Sequence, residues 1–327
     1  MTNSVLITGP DLAPAAVDVL KQAGLEPVYV PAYTAGEGLV EAIRRAQPVG
    51  IISRMGRIDA PALDAAPGLR VISKHGVGTD NIDVAEAAAR GVPVLVATGA
   101  NAVSVAEHAI ALMFAVAKTL LPLDHGLRAG RWEKPGFKGR ELAGETLGLV
   151  AFGAIARQTA RFAKAFGMDV VAFDPFCPAE TFAAEGVRQV DDLDALLQMS
   201  DVISLHSPLT PDTRNMINAE RLTRMKPGAI IVNTARGGLI DEPALSAALA
   251  EGRIFGAGLD TFATEPPAPD HPFWTEPRLV MTPHIGGVTA AANARVGTEA
   301  AQGIVDLLAG KPLPPARIVN RAALAHA

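Results

Sequence analysis

Three ionisable side chains sit just beyond apolar runs, and their types suit one kind of chemistry. His284 follows Leu279-Val280-Met281, Glu265 follows the run 256–259, and Arg236 follows Ala229 to Val232. Histidine, with an ordinary pKa of about 6.5, can exchange a proton with a hydroxyl or carbonyl oxygen near neutrality. A carboxylate beside an imidazole stabilises its protonated form. Arginine can grip a carboxylate with two parallel hydrogen bonds and polarise an adjacent carbonyl. Taken singly, Glu265 before Pro266-Pro267 could be a solvated loop carboxylate, and Arg236 could pair with Asp241. Their shared position behind strands of one series favours a common site.

A second constellation lies upstream. In Thr146-Leu147-Gly148-Leu149-Val150-Ala151-Phe152-Gly153-Ala154-Ile155-Ala156 a strand-like run enters a helix-like one. The G-x-G-x-x-G dinucleotide fingerprint is present there as Ala151-x-Gly153-x-x-Ala156. The middle glycine matters most, because a side chain there would hold the backbone away from a pyrophosphate at the helix N-terminus. Alanine is tolerated at the third position, whereas Ala151 is a departure. Asp174 ends the run Val170-Val171-Ala172-Phe173, 21 residues after Gly153. A carboxylate at about that spacing accepts hydrogen bonds from ribose hydroxyls and repels a 2′-phosphate, which favours NAD over NADP.

The elements that must hold these groups follow an alternating pattern. Strand candidates are 5–8, 27–30, 50–52, 69–72 and 92–96, then 146–151, 170–173, 187–190, 202–205, 229–232, 256–259 and 279–281. Helix-like stretches include 12–23, 155–166, 242–250 and 290–309. This alternation predicts α/β architecture, and runs apolar on successive residues predict parallel sheets covered on both faces. The segment 101–121 predicts one long helix, with Ser104 and Glu107 at capping-box spacing and Asn101 as an alternative cap. A Gly-, Lys- and Arg-rich loop is expected from Gly126 to Gly144.

Composition sets the outer bounds. The chain has 327 residues, 49% apolar and 5% aromatic, with 29 Lys and Arg against 34 Asp and Glu and a net charge of −5. That length suits two domains, and the balance disfavours disorder, a disulfide scaffold and nucleic-acid binding. Cys177, the single cysteine, is consistent with a reducing, cytoplasmic location. Neither a signal peptide nor a bilayer-length apolar run is apparent, and no metal-ligand spacing is evident among seven histidines and one cysteine.

On these residues the chain resembles the D-2-hydroxyacid dehydrogenase family. The motifs that carry the resemblance are Gly76-Val77-Gly78-Thr79-Asp80-Asn81-Ile82-Asp83, Asn101-Ala102-Val103-Ser104-Val105-Ala106-Glu107-His108 and Leu205-His206-Ser207-Pro208-Leu209-Thr210. Met225-Lys226-Pro227-Gly228, Asn233-Thr234-Ala235-Arg236-Gly237-Gly238 and Pro283-His284-Ile285-Gly286-Gly287 complete them. The resemblance implies two Rossmann-like domains: a doubly wound nucleotide-binding domain over 101–285, inserted in a discontinuous flavodoxin-like substrate domain of 1–100 plus 286–327.

It also implies roles. Arg236 would anchor and polarise a 2-oxoacid, His284 would be the acid/base and Glu265 its partner. Arg54, Val77, Gly78 and Asn101 would join Arg236 and His284 in holding the substrate. Gly153, Ala154, Ile155 and Asp174 would hold NAD, with His206, Ser207, Pro208, Thr213, Thr234, Ala235 and Gly286 lining its site and Asp260 binding the carboxamide. His75, just before the glycines, could add positive character to the substrate pocket or equally be structural, and His108 is expected to be a packing or interface residue. The implied reaction is hydride transfer to or from C2 of a small D-2-hydroxyacid, by a homodimer. Hydroxypyruvate or glyoxylate is the first expectation and 3-phosphoglycerate the alternative. The chain ending soon after Asn320 argues against the long, allosteric phosphoglycerate dehydrogenases. An NAD-sensing corepressor is the alternative of another class.

Overall fold

The computed structural model describes residues 3–325. It divides into two compact units, Met1–Asn101 with Val288–Ala327, and Ala102–Gly287. The expected outer limits at residues 1 and 327 lie outside the described residues.

The first unit is built on five parallel strands, β1 (Ser4–Ile7), β2 (Glu26–Tyr29), β3 (Gly50–Ser53), β4 (Val71–Lys74) and β5 (Val94–Val96). Their order, β2-β1-β3-β4-β5, is the flavodoxin-like arrangement. Successive side chains point to opposite faces, so burial on both sides demands unbroken apolar runs. Leu6, Ile51, Ile72 and Val94 enter one core, while Val5, Ile7, Ile52, Val71 and Leu95 enter the other. That second core is completed from far along the chain: the helix Ala290–Leu308 contributes Ala300, Ala301 and Ile304. It packs on the helix Pro14–Gln22. The tail is tied to β5, where the buried Asn320 side chain accepts from the Val94 amide and donates to the Val92 carbonyl, both at 2.9 Å.

The second unit holds seven parallel strands: β6 (Thr146–Val150), β7 (Asp169–Phe173), β8 (Arg188–Gln189), β9 (Val202–Leu205), β10 (Ala229–Asn233), β11 (Ile254–Leu259) and β12 (Leu279–Met281). The order β12-β11-β10-β9-β6-β7-β8 is doubly wound, with its direction reversing between β6 and β9. Apolar side chains again fill a core on each face. The helix Ala102–Ala117 lies across β10 and β11. It approaches so closely that a Cβ added at Gly258 would stand 2.7 Å from Leu112 Cβ, and one at Gly256 2.7 Å from Val116 Cγ1.

This helix departs from the sequence expectation in three ways. It ends at Ala117, and a second helix, Leu120–Arg128, continues at a bend of 61°. Pro122 explains the break. Inside one continuous helix it would remove the amide bond to residue 118 and clash there, whereas in the first turn of a new helix its missing N–H costs nothing. Thr119 makes the turn with a left-handed φ of 53°. The anticipated loop from Gly126 therefore begins inside helix. Ser104 caps nothing: it lies within the first turn, and its hydroxyl donates to the Gly286 carbonyl at 2.7 Å. Among the described residues no single helix is long and apolar enough to cross a membrane.

The close approach of β11 and this helix makes a stability prediction. Gly258→Val should lower unfolding free energy by about 1–3 kcal/mol through overpacking. A fall in the urea midpoint with unchanged denaturant slope would register it; an unchanged midpoint would contradict the close packing.

Candidate functional site

Parallel strands all end at one edge of a sheet, and the loops leaving that edge gather the polar groups. In the second unit Gly153 follows β6, Asp174 follows β7, and His206-Ser207-Pro208 follow β9. Arg236, Glu265 and His284 follow β10, β11 and β12.

Gly153 is the N-cap of the helix Ala154–Ala165, with an ordinary φ of −74°. A Cβ there would meet no protein atom within 4 Å. The fold therefore does not demand glycine at this position; its bare, exposed backbone leaves room for a phosphate over the positive helix end. Ala156, at the third fingerprint position, is fully buried where the helix packs. Ala151 occupies the first position with a φ of 72°, a conformation that glycine adopts freely and alanine does not. Asp174 is bound into the same turn: its carboxylate accepts from the Phe152 amide at 2.8 Å and the Phe176 amide at 2.9 Å. These contacts leave lone pairs of a fixed carboxylate for ribose hydroxyls. The residues present thus fit a dinucleotide.

The neighbouring loops are more structural than their expected roles imply. Thr213 Oγ1 donates to the Pro208 carbonyl at 2.8 Å and accepts from the Thr210 amide at 2.7 Å, which shapes the loop after β9. Ser207 is buried, and Thr234 is buried with no protein partner for its hydroxyl. Burial pushes the His206 imidazole down to about 4, so it is neutral at pH 7, with Nε2 3.0 Å from Ser204 Oγ.

The acid/base candidates do meet. His284 Nδ1 lies 2.8 Å from Glu265 Oε2, while Glu265 Oε1 accepts from the Phe262 amide at 3.1 Å. Burial opposes ionisation of Glu265, but His284, the Phe262 amide and the charge of Arg236 outweigh it and lower its pKa. The side chains of the pair remain 47% and 38% exposed, open enough to meet a small molecule. Arg236 is set by Asn233, whose buried side chain donates to the Arg236 carbonyl at 2.8 Å and accepts from the Ala235 amide at 3.0 Å. Next to it, a Cβ on Gly237 would fall 1.8 Å from the Phe262 carbonyl carbon. Glycine is required here because the Arg236 and Glu265 loops touch backbone to backbone.

Asp260, expected to bind the carboxamide, is 1% exposed and holds the histidine loop. Oδ1 accepts from Thr282 Oγ1 at 2.6 Å and the Ile285 amide at 2.8 Å, and Oδ2 accepts from the Gly286 amide at 2.8 Å. Burial works against its charge, yet His108, Thr282 and the two amides prevail and lower its pKa. His284 itself has a left-handed φ of 54°, an uncommon conformation outside glycine. His108 is no mere packing residue, since Nε2 lies 2.8 Å from Thr282 Oγ1 and 3.4 Å from Asp260 Oδ1. Neither Thr282 nor His108 was marked as functional by the sequence; His108 stands four residues after Ser104, and that one-face spacing was the available signal.

In the first unit, Gly76, Val77 and Gly78 form the turn leaving β4. Gly76 has a φ of 142°, which only glycine tolerates well, and Val77 is exposed. Arg54 Nη1 is engaged by the carboxylate and carbonyl of Asp11. Lys74 Nζ donates to Asn81 Oδ1 at 2.6 Å. His75 does not supply positive charge: burial first, then Arg54 and Lys74, push it down to about 4. Asn101, half-buried, has a side-chain carbonyl without a protein donor. Among the described residues no three His, Cys, Asp or Glu side chains are grouped to hold a metal ion.

A doubly wound sheet with this turn and carboxylate defines a dinucleotide-binding protein. Residues 110–286 match the family model described as D-isomer specific 2-hydroxyacid dehydrogenase, NAD binding domain. The chain belongs to that family, and its second unit binds NAD. It is 45% identical over 251 residues to a hydroxypyruvate reductase of Thermotoga maritima, covering 76% of this chain and 81% of the relative. It is 39% identical over 309 residues to a D-3-phosphoglycerate dehydrogenase of Archaeoglobus fulgidus, covering 94% of this chain but 58% of that protein's length. The crystal structure of the TT0316 protein from Thermus thermophilus superposes with a TM-score of 0.86 at 36% identity, covering 97% of this chain and 99% of the other.

Two outcomes are expected. Ala151→Gly should relieve the left-handed alanine and, after the greater entropy of unfolded glycine, raise stability by about 0.5–1 kcal/mol; a lower melting temperature would contradict this. Because folded His206 takes up its proton only near pH 4, against 6.5 for the ordinary group, the unfolded chain protonates first. Its stabilisation is present above about pH 6.5 and is lost as pH falls toward 4. His206→Asn should flatten that part of a stability–pH curve; an unchanged slope would count against a buried neutral imidazole.

Proposed function

We propose that the chain catalyses reversible reduction of a small 2-oxoacid to a D-2-hydroxyacid, with hydroxypyruvate or glyoxylate as the oxoacid. The observation that carries the reading is the hydrogen-bonded, partly exposed His284–Glu265 pair, at the same sheet edge as Arg236 and the phosphate-binding turn.

In the reducing direction His284 delivers a proton from Nε2 to the C2 oxygen. Glu265, holding Nδ1, orients the ring and stabilises its protonated form beforehand. Arg236 grips the substrate carboxylate and offsets the negative charge that develops on the carbonyl oxygen. Gly153, Ala154, Ile155 and Asp174, with Ser207, Pro208, Thr234 and Ala235 beside them, would hold NAD, which when bound would supply or take up the hydride at C2. Asp260 and Gly286 keep the histidine loop in register and are assigned the carboxamide end of the cofactor. The Val77 and Gly78 amides, with Arg54 and Asn101, are assigned to the substrate domain formed by the first unit.

An unphosphorylated substrate is favoured because Arg54 and Lys74, two cations of the first unit, are engaged by Asp11 and Asn81. The 3-phosphoglycerate reading is favoured by the Archaeoglobus fulgidus relative's name. Exposed Leu120, Leu121, Leu127 and Trp132 support a homodimer through this segment, and the single cysteine supports a cytoplasmic setting.

Oxidation of NADH should be seen with hydroxypyruvate or glyoxylate and be weaker with the 2-oxoacid of 3-phosphoglycerate. No turnover with any 2-oxoacid would instead favour an NAD-sensing binding protein. His284→Ala should cut kcat by about 10²–10⁴-fold while NADH affinity changes little; near-full turnover would overturn the assignment. Arg236→Ala should raise KM for the oxoacid and also lower kcat, since it removes both the grip on the substrate carboxylate and the charge that offsets the developing oxyanion, and steady-state kinetics reads both.

A further inference from the structure

The helix Ala102–Ala117 reaches the histidine loop through two side chains one turn apart. Ser104 Oγ donates to the Gly286 carbonyl at 2.7 Å, and His108 Nε2 lies 2.8 Å from Thr282 Oγ1. The direction of the second bond follows from counting hydrogens. Thr282 has one hydroxyl hydrogen, which it gives to Asp260 Oδ1 at 2.6 Å. Only lone pairs remain on Oγ1, so Nε2 of His108 must carry a hydrogen and donate it. The chain of donors is therefore His108 to Thr282 to Asp260, and Asp260 in turn accepts the amides of Ile285 and Gly286.

Those amides belong to the two residues after His284, whose own backbone is left-handed. A conformation of that kind persists only where its surroundings over-determine it. Here they do: the residues on its C-terminal side are bound to a buried carboxylate, and Thr282, two residues before it, is bound to the same carboxylate. Gly286 leaves no slack, since a Cβ would stand 2.9 Å from Asp260 Oδ2 and 3.4 Å from His108 Cδ2. The Glu265–His284 bond of 2.8 Å depends on the loop keeping this shape.

We infer that His108 is a positioning residue for His284, acting through Thr282 and Asp260 to hold the loop 282–286 in the shape that presents the imidazole to Glu265. The inference rests on the proposed acid/base role of His284 for its kinetic consequence, but not for its structural one.

The test compares His108→Leu, His108→Gln, Thr282→Val and His284→Ala in the full chain. His108→Leu and Thr282→Val should each lower kcat on the order of 10- to 100-fold, as small misplacements of reacting groups do. NADH affinity should fall by a smaller factor than kcat, because the phosphate turn lies on other strands and only the carboxamide end, assigned to Asp260 and Gly286, meets the loosened loop. Amide hydrogen exchange at Ile285 and Gly286, followed by NMR, should accelerate in both variants. His108→Gln retains an N–H donor at similar reach and should restore most of the kcat and exchange protection. Thr282→Val keeps the shape of threonine and the whole helix, so it decides the matter if His108→Leu fails to fold. Wild-type exchange at both amides in Thr282→Val, or a glutamine variant as impaired as the leucine one, would overturn the inference. If His284→Ala retains turnover, the acid/base reading fails, while exchange at Ile285 and Gly286 still reports on His108.

Discussion

A parallel sheet buried on both faces leaves one place for polar chemistry, the edge where its strands end. In the second unit, side chains within the strands are claimed by two apolar cores, so reactive groups can occur only in the loops beyond Val150, Phe173, Leu205, Asn233, Leu259 and Met281. Loops are intrinsically the less certain part of a fold, and the burden shifts to whatever binds one to the next. Three devices do so here. Gly237 allows backbone contact between the loops after β10 and β11, Glu265 reaches across to His284, and Asp260 gathers the loop after β12. The two acids are different in kind. Asp260 is sealed from solvent and bound by the protein on both oxygens, whereas Glu265 is open enough to respond to what enters.

The phosphate turn shows the same logic with the opposite material. Nothing in the protein fills the space above Gly153, and nothing in the backbone requires glycine there. At Ala151 the relation is inverted: the backbone calls for glycine and the sequence supplies alanine. The fingerprint thus separates into a position kept bare for a ligand and a position where conformation alone is at stake.

Much of this was legible in the sequence because it depends on period and on strand ends. The apolar runs placed the strands, their succession implied parallel sheets, and the position of Arg236, Glu265 and His284 behind three such runs brought them to one edge. What was not legible depends on who meets whom across the fold. The sequence shows Ser104 and Glu107 at capping distance, but helix entry at Ala102 turns that serine into a tether for Gly286. His108 reads as a helical packing residue until β11 and β12 bring Asp260 and Thr282 beside it. His75 is flanked by signals of a cationic pocket, yet burial decides its charge, and burial is a property of the finished core. The helix break at Thr119 was available, since Pro122 forbids continuation, but the alanine- and leucine-rich composition around it masked the signal.

The helix Ala290–Leu308 closes one face of a sheet whose strands were all made before residue 97. During synthesis, then, Val5, Ile7, Ile52, Val71 and Leu95 emerge with the helix Pro14–Gln22 as cover but without Ala300, Ala301 and Ile304, and the strands of the second unit are all made before those residues. The inserted unit can mature at once, while the first waits with part of one apolar face uncovered. Until residues 290–308 emerge, that uncovered strip is where contact with other chains is favoured.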